Sequence, residues 1–185
     1  MLMSTALIKI KGLKLHDQGF SSLIREKRRM SKKSSLKCPI LFFFIVDDGS
    51  HHPLHQISTF DILFRDVLLP GGVYAVEDIE TSYWSGNGIY GYIFEYGYRH
   101  ELSAIEVFKT VADQVNYEFL SDKAREQQDK LIDNRISRDT LSMISSITFA
   151  QNLVVITKHS RENLKLFGNR EYPYEHCLGP KDDDS

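Results

Sequence analysis

The chain has 185 residues, of which 42% are hydrophobic, 26% charged and 11% aromatic, with a formal net charge of -2 and a pI near 6.4. That length fits one compact domain with a real core, and the composition excludes a disordered or fibrous chain. The near-neutral balance excludes a global attraction to nucleic acid or to an anionic membrane, because either needs a concentrated basic surface.

Cys38 and Cys177 are too few for a disulfide framework and lack the paired spacing of a zinc site, so a reducing compartment, the cytoplasm, is the expectation. A bilayer span needs roughly 20 apolar residues. The longest apolar run, Pro39 to Val46, suits a buried strand instead. Met1 to Leu15 alternates lysines with apolar residues, unlike the continuous stretch of a signal peptide.

In chain order, Ala6 to Lys11 alternates like a strand with one wet face, and Phe20 to Arg29 follows as a short helix with Leu23 and Ile24 inward. The basic run from Arg25 to Ser35 has too little apolar content to pack and no interleaved aromatics, so it reads as a solvated loop or helix end rather than a nucleic-acid patch. Ile40 to Val46 is apolar on both faces, as expected of a central parallel strand covered by helices, and ends at Asp47-Asp48-Gly49-Ser50. Pro53 suits the first turn of a helix whose inner face carries Leu54, Ile57, Phe60, Phe64 and Val67, until Pro70-Gly71-Gly72 stops it. Val73 to Val76 is the next strand, ending in a second acidic pair, Glu77-Asp78. A right-handed crossover of this length makes the two strands parallel neighbours, so both acidic pairs share one rim of the sheet.

After a Gly- and Tyr-rich loop from Thr81 to Tyr98, a helix is expected on Leu102, Ile105, Phe108, Val111, Val115 and Phe119, followed by a charged stretch through Asp139. Ile144 to Phe149 and Leu153 to Thr157 form an antiparallel hairpin closing the sheet edge. The organisation is therefore a divergent segment with a basic loop (1–39), a doubly wound, mostly parallel α/β unit with a terminal antiparallel hairpin (40–160), and a tail (161–185) whose Asp182-Asp183-Asp184 is solvated.

Ligands of open α/β sheets bind beyond the carboxyl ends of the strands, and that rim holds Asp47, Asp48, His51, His52, Glu77 and Asp78. A hard divalent cation such as Mg2+ wants several oxygen ligands, which Asp48, Glu77 and Asp78 offer from two neighbouring strand ends. His51, just beyond them, is placed to act as a general base toward a hydroxyl. On spacing alone a bland alternative is equally open: Asp47 and Ser50 cap the helix, and the histidines decorate its first turn.

The segments Phe44-Ile45-Val46-Asp47-Asp48-Gly49-Ser50-His51-His52, His55-Gln56, Leu69-Pro70-Gly71-Gly72-Val73-Tyr74 and Glu77-Asp78-Ile79-Glu80-Thr81-Ser82-Tyr83-Trp84 together resemble class I S-adenosylmethionine-dependent methyltransferases. The nearest group is the magnesium-dependent macrolide-sugar O-methyltransferases of the mycinamicin type. Ile147-Thr148-Phe149 and Leu153-Val154-Val155-Ile156 resemble that family's closing hairpin, so the similarity runs from about Ile40 to Lys158.

The resemblance implies a Rossmann-like methyltransferase fold, S-adenosylmethionine and Mg2+ as cofactors, and a small hydroxylated acceptor, a glycoside. It also implies Asp48, Glu77 and Asp78 as metal ligands and His51 as the base. Tyr83 and Trp84 fall where the family's substrate loop lies, though aromatics in a loop more often pack over a core.

The family's Gly-rich turn after the first strand has no counterpart, since residues 1 to 39 contain only Gly12 and Gly19. Leu13 to Gln18 is similar to a Gly-Asp-Gln segment near the adenine, with His16 in place of glycine; Asp17, Gln18 and Asp47 are the cofactor contacts this implies. On that reading the chain starts near the third strand, the cofactor-binding half is missing, and the central strand is left with an open edge. Either this is a truncated product, or a partner chain or second copy covers the gap. Three functions stand side by side: an O-methyltransferase or a fragment of one, a non-catalytic remnant or interaction module of that fold, and a metal-dependent hydrolase using the same carboxylates and His51.

Overall fold

A computed structural model of the chain describes residues 7–11, 41–89, 92–94, 97–132 and 135–167. The helix expected at 20–29, the basic run, Asp17, Gln18, both cysteines and the acidic tail lie outside the described residues.

Strands β1 (Leu7–Lys11), β2 (Phe42–Asp48), β3 (Leu68–Glu77), β6 (Ile144–Ala150) and β7 (Leu153–Lys158) form one sheet in the order β1-β2-β3-β7-β6. A separate ribbon pairs β4 (Gly86–Ile89) with β5 (Tyr92–Phe94). β1, β2 and β3 run parallel, and β7 and β6 add as an antiparallel hairpin. The edge of β2 that the sequence left open is paired by β1, with Leu7 opposite Phe44 and Lys11 opposite Asp48.

Between β2 and β3 runs helix α1 (Pro53–Asp66). Its missing N–H at Pro53 falls where a helix has no intrahelical acceptor, which is why proline is tolerated there. α1 buries Ile57, Phe60, Leu63 and Phe64, while Leu54, expected inward, is exposed at the first turn. Pro70-Gly71-Gly72 does not stop α1: the helix ends at Asp66, and the Pro-Gly-Gly lies within β3 as an irregularity, where four residues of β3 stand against one of β2 between the pairs Phe42–Leu68 and Phe44–Val73. At Gly72 a Cβ would stand 2.8 Å from the carbonyl oxygens of both Phe43 and Leu69, so this bulge needs a residue without one.

Helix α2 (Ala104–Val115) packs against α1 and over β6. Ser103 caps it, its Oγ accepting the Glu106 N–H at 3.4 Å. A lost cap of this kind costs about 1 kcal/mol, so Ser103→Ala is expected to lower the urea midpoint with an unchanged slope, read by equilibrium unfolding. The helix is shorter than the sequence suggests. Asn116 turns it into a short 3-10 segment, Tyr117–Phe119, which leaves Phe119 79% exposed. The charged stretch that follows is also helical, as α3 (Asp122–Ile132) and α4 (Arg138–Leu141). Only Gln128 and Ile132 of α3 are buried, too few to show as a periodic pattern. Ser137 caps α4 and gives both its N–H and its Oγ–H to Asp61 Oδ1 on α1.

One face of the three central strands is buried: Ile45, Asp47, Tyr74, Val76, Val154 and Ile156 alternate along β2, β3 and β7 toward α1 and α2. On the other face Phe44, Val46, Val73 and Val155 are half-buried among the described residues; Phe43, near the start of β2, is 43% exposed. Packing continues past residue 160, since Leu164 of helix α5 (Arg161–Phe167) joins the core. Among the described residues no helix is long and apolar enough to cross a membrane.

Candidate functional site

The parallel pairing of β2 and β3 sets their carboxyl ends side by side, Asp47 level with Val76. Strand alternation then separates the two aspartates. Asp47 turns into the core, 4% exposed, and accepts a hydrogen bond from Tyr74 Oη at 3.0 Å. Burial pushes its carboxyl up to about 6, against the lowering effect of the Tyr74 hydroxyl and the Gly49 amide. Asp48 faces the rim. The chain leaves β2 through Gly49, where a Cβ would lie 2.8 Å from Asp47 Oδ1.

His51 follows in the left-handed region at φ 55°, which turns its ring back over the end of the sheet. Asp78, the first residue past β3, is also left-handed, at φ 55° and ψ 50°. Two non-glycine residues in that region facing each other across one rim mark a site where the surrounding contacts over-determine the backbone. His51 Nε2 lies 4.0 Å from Asp48 Oδ1, and His51 Nδ1 lies 3.6 Å from Asp78 Oδ2. One ligand atom from each of Asp48, His51 and Asp78 falls within 4.8 Å of the others, the spacing of donors around a cation. Glu77 is close in sequence but stands outside this group; its backbone carbonyl accepts from Gln56 Nε2 at 3.0 Å.

Capping does not account for these residues. The N-cap of α1 is His52, which makes no side-chain cap bond, and Ser50 Oγ instead meets His55 Nδ1 at 2.8 Å. Asp47 is held by Tyr74 rather than by the helix N-terminus. His52 lies against His55, with ring centroids 4.7 Å apart, and is not one of the three residues whose ligand atoms converge.

Tyr83 is not packed over the core. It is 45% exposed, stacks on Tyr98 at 6.2 Å, and borders a cleft of about 590 Å³ together with Ile79, Ile105, Lys109 and Phe149. Trp84 is half-buried, and its backbone N–H donates to the Thr81 carbonyl at 3.3 Å. Three residues that shape the site carried no assigned role in the sequence: Tyr74, which holds Asp47, and Gln56 and Asn152, which hold Asp78. A signal existed only for Asn152, since asparagine between two strands favours a left-handed turn residue, and its φ is 56°.

No protein-family model matches the chain. It is 39% identical over 83 residues to the L-olivosyl-oleandolide 3-O-methyltransferase of Streptomyces antibioticus, a match covering 45% of this chain and 20% of that protein. It is 47% identical over 47 residues to the mycinamicin VI 2''-O-methyltransferase of Micromonospora griseorubida, covering 25% of this chain and 12% of that protein. Among solved structures, MycE methyltransferase from the mycinamycin biosynthetic pathway, in complex with Mg and SAH, superposes with a TM-score of 0.51 at 25% identity, over 76% of this chain and 30% of that one. The chain thus spans less than a third of the length of each of these proteins. In sequence over part of its length and in fold over most of it, this chain resembles the S-adenosylmethionine-dependent sugar O-methyltransferases.

Proposed function

We propose that this chain carries the metal- and acceptor-handling part of an S-adenosylmethionine- and magnesium-dependent O-methyltransferase, acting in the cytoplasm on a hydroxyl of a small glycoside. The observation that carries the reading is the convergence of Asp48, His51 and Asp78 at the ends of two neighbouring parallel strands. The relatives whose names describe methylation of sugar hydroxyls, and the Mg and SAH of the solved neighbour, supply the chemistry.

Two carboxylates at this spacing, with side chains 18% and 41% exposed, fit a hard cation, so Asp48 and Asp78 would hold magnesium, with Glu77 able to join only by reorienting. When bound, magnesium supplies the positive charge that acidifies a nearby hydroxyl. His51 then takes the hydroxyl proton, its ring fixed between the two carboxylates. The cleft bordered by Tyr83 and Phe149 offers apolar walls to the body of the acceptor, and Trp84 lies beside it in sequence.

S-adenosylmethionine, the methyl source, does not fit the described residues in the same way. Asp47, the one described residue assigned to it, is turned into the core on Tyr74. The donor's binding therefore falls to Asp17, Gln18 and other residues outside those described, to a second copy, or to a partner chain. The capture of Asp47 by Tyr74 also favours a second reading, a non-catalytic remnant that keeps the metal site.

Calorimetric titration of the purified chain with S-adenosylmethionine, with and without magnesium, separates the two. Saturable binding is expected, with His51→Ala binding equally well but transferring methyl about a hundredfold more slowly, the lower end of what a general base contributes. A folded chain that binds magnesium but no S-adenosylmethionine would overturn the methyltransferase reading for this polypeptide by itself and leave the remnant or a metal-dependent hydrolase.

A further inference from the structure

We propose that Asn152, at the tip of the β6–β7 hairpin, is a positioning residue that presents one oxygen of Asp78 to the cation site. The inference rests on Asp78 being a metal ligand. Because β7 runs antiparallel beside β3, with Glu77 opposite Leu153, the hairpin tip is delivered to the residue just past the strand end.

There Asn152 grips Asp78 three ways. Its carbonyl accepts the Asp78 N–H at 3.1 Å. Its Nδ2 donates to Asp78 Oδ1 at 2.9 Å. Its Oδ1 accepts the N–H of Glu80, two residues on, at 2.9 Å. From the other side Gln56, 3% exposed on α1, donates from Nε2 to the Asp78 carbonyl at 3.3 Å.

The consequence lies in the carboxylate. The Asp78 side chain is 41% exposed, and an exposed aspartate with no partner would rotate between rotamers that point its oxygens in different directions. With Oδ1 tied to the Asn152 amide, Oδ2 is left facing His51, 3.6 Å from Nδ1. Groups that hydrogen-bond a ligating carboxylate orient it, and their loss typically lowers metal affinity about ten- to a hundredfold. Gln56 and the backbone grip hold the left-handed Asp78 main chain, and the Asn152 amide aims the side chain.

Asn152→Gly isolates the side chain, since glycine adopts the positive φ of 56° at this turn without strain and keeps the backbone contact. The test is calorimetric titration of Mn2+, standing in for magnesium, into the metal-free full chain, Asn152→Gly and Asp78→Asn, with the metal-free melting temperature of each recorded. Expected are saturable binding to the unaltered chain, no binding to Asp78→Asn, and at least tenfold weaker binding to Asn152→Gly with its melting temperature within about 2 °C of the unaltered chain. Equal affinity of Asn152→Gly and the unaltered chain overturns the positioning role and leaves the metal reading intact. Weaker binding with a larger fall in melting temperature overturns it in favour of a purely structural role. Failure of the unaltered chain to bind Mn2+, or binding that Asp78→Asn leaves unchanged, overturns the metal reading and the positioning role with it.

Discussion

Lys158→Ala is expected to destabilise the fold by about 4 kcal/mol, from the combined loss of buried packing and of donors to carbonyls that water does not reach. Lys158 ends β7 and is 2% exposed. Its Nζ donates to the carbonyls of Phe64 at 2.7 Å, Leu68 at 2.8 Å and Arg65 at 3.2 Å. Two of these carbonyls belong to the last turn of α1, where a helix has no internal donors left and its dipole presents negative charge. The ammonium thus serves as the C-terminal cap of α1, and it lies 5.5 Å from the centre of the Phe64 ring.

The same burial gives the residue a pH signature. Desolvation pushes the Lys158 amine down from 10.5 to about 7, opposed by the charge of Asp66. Below pH 7 the group is protonated in both states and the burial penalty is fully present. Between about pH 7 and 10.5 the native state binds fewer protons than the unfolded chain, so stability rises with pH across that window. The slope from this one group approaches about 1.4 kcal/mol per pH unit. Lys158→Met keeps most of the volume and removes the titration, so its stability plotted against pH should lack that contribution. The comparison requires urea unfolding of both proteins at several pH values from 6 to 10. Parallel curves for the two proteins would show that Lys158 stays charged throughout.

How much of this was legible in the sequence depends on range. β2, α1 and β3 follow from apolar runs and from proline and aspartate punctuation, all local signals, and the 6–7 hairpin likewise. α3 was illegible because it buries one isoleucine and one glutamine; its place is set by contacts with α2, not by its own pattern. Phe119 fits a helical face by spacing, yet α2 has ended at Val115 and the ring stays in solvent. Pro70-Gly71-Gly72 has the chemistry of a helix stop, and only the register of β2 against β3 reveals it as a bulge inside a strand.

At the rim the same rule holds. Asp48, His51 and Asp78 were legible because strand ends on a parallel sheet must share an edge. The capture of Asp47 by Tyr74 was not, since it depends on Tyr74 pairing level with Ile45 and reaching along the same face. His51, Asp78 and Asn152 all adopt positive φ around one point, at 55°, 55° and 56°. For residues other than glycine this is uncommon; Asn, Asp and His tolerate it better than most, but that tolerance does not say which of them adopt it. Backbone geometry of this kind is imposed by contacts distant in sequence, here from α1 and the β6–β7 turn.

The second large effect is expected at Phe60. Its ring is fully buried between α1, β3 and α2, with centroids 4.9 Å from Phe64, 5.4 Å from Tyr74 and 5.4 Å from Phe108. The contacts with Tyr74 and Phe108 are edge-to-face, the arrangement that adds a favourable quadrupole interaction to the burial. Phe60→Ala removes the shared partner of all three rings and leaves a cavity that close-packed neighbours fill only in part, at a cost of about 4 kcal/mol. That is a large share of the roughly 5 to 15 kcal/mol by which a domain is stable. Phe60→Leu, which keeps most of the volume, should cost less than half as much. Trp84 is the chain's single tryptophan, so its fluorescence reports unfolding from beside the rim, and far-ultraviolet circular dichroism reports the helices. Because Phe60 joins α1 to both β3 and α2, its loss should weaken the whole unit. The two probes should then show one coincident transition at a lower urea midpoint. Separate transitions for the two probes would mean that the rim and the helical layer unfold independently, and that the aromatic cluster does not couple them.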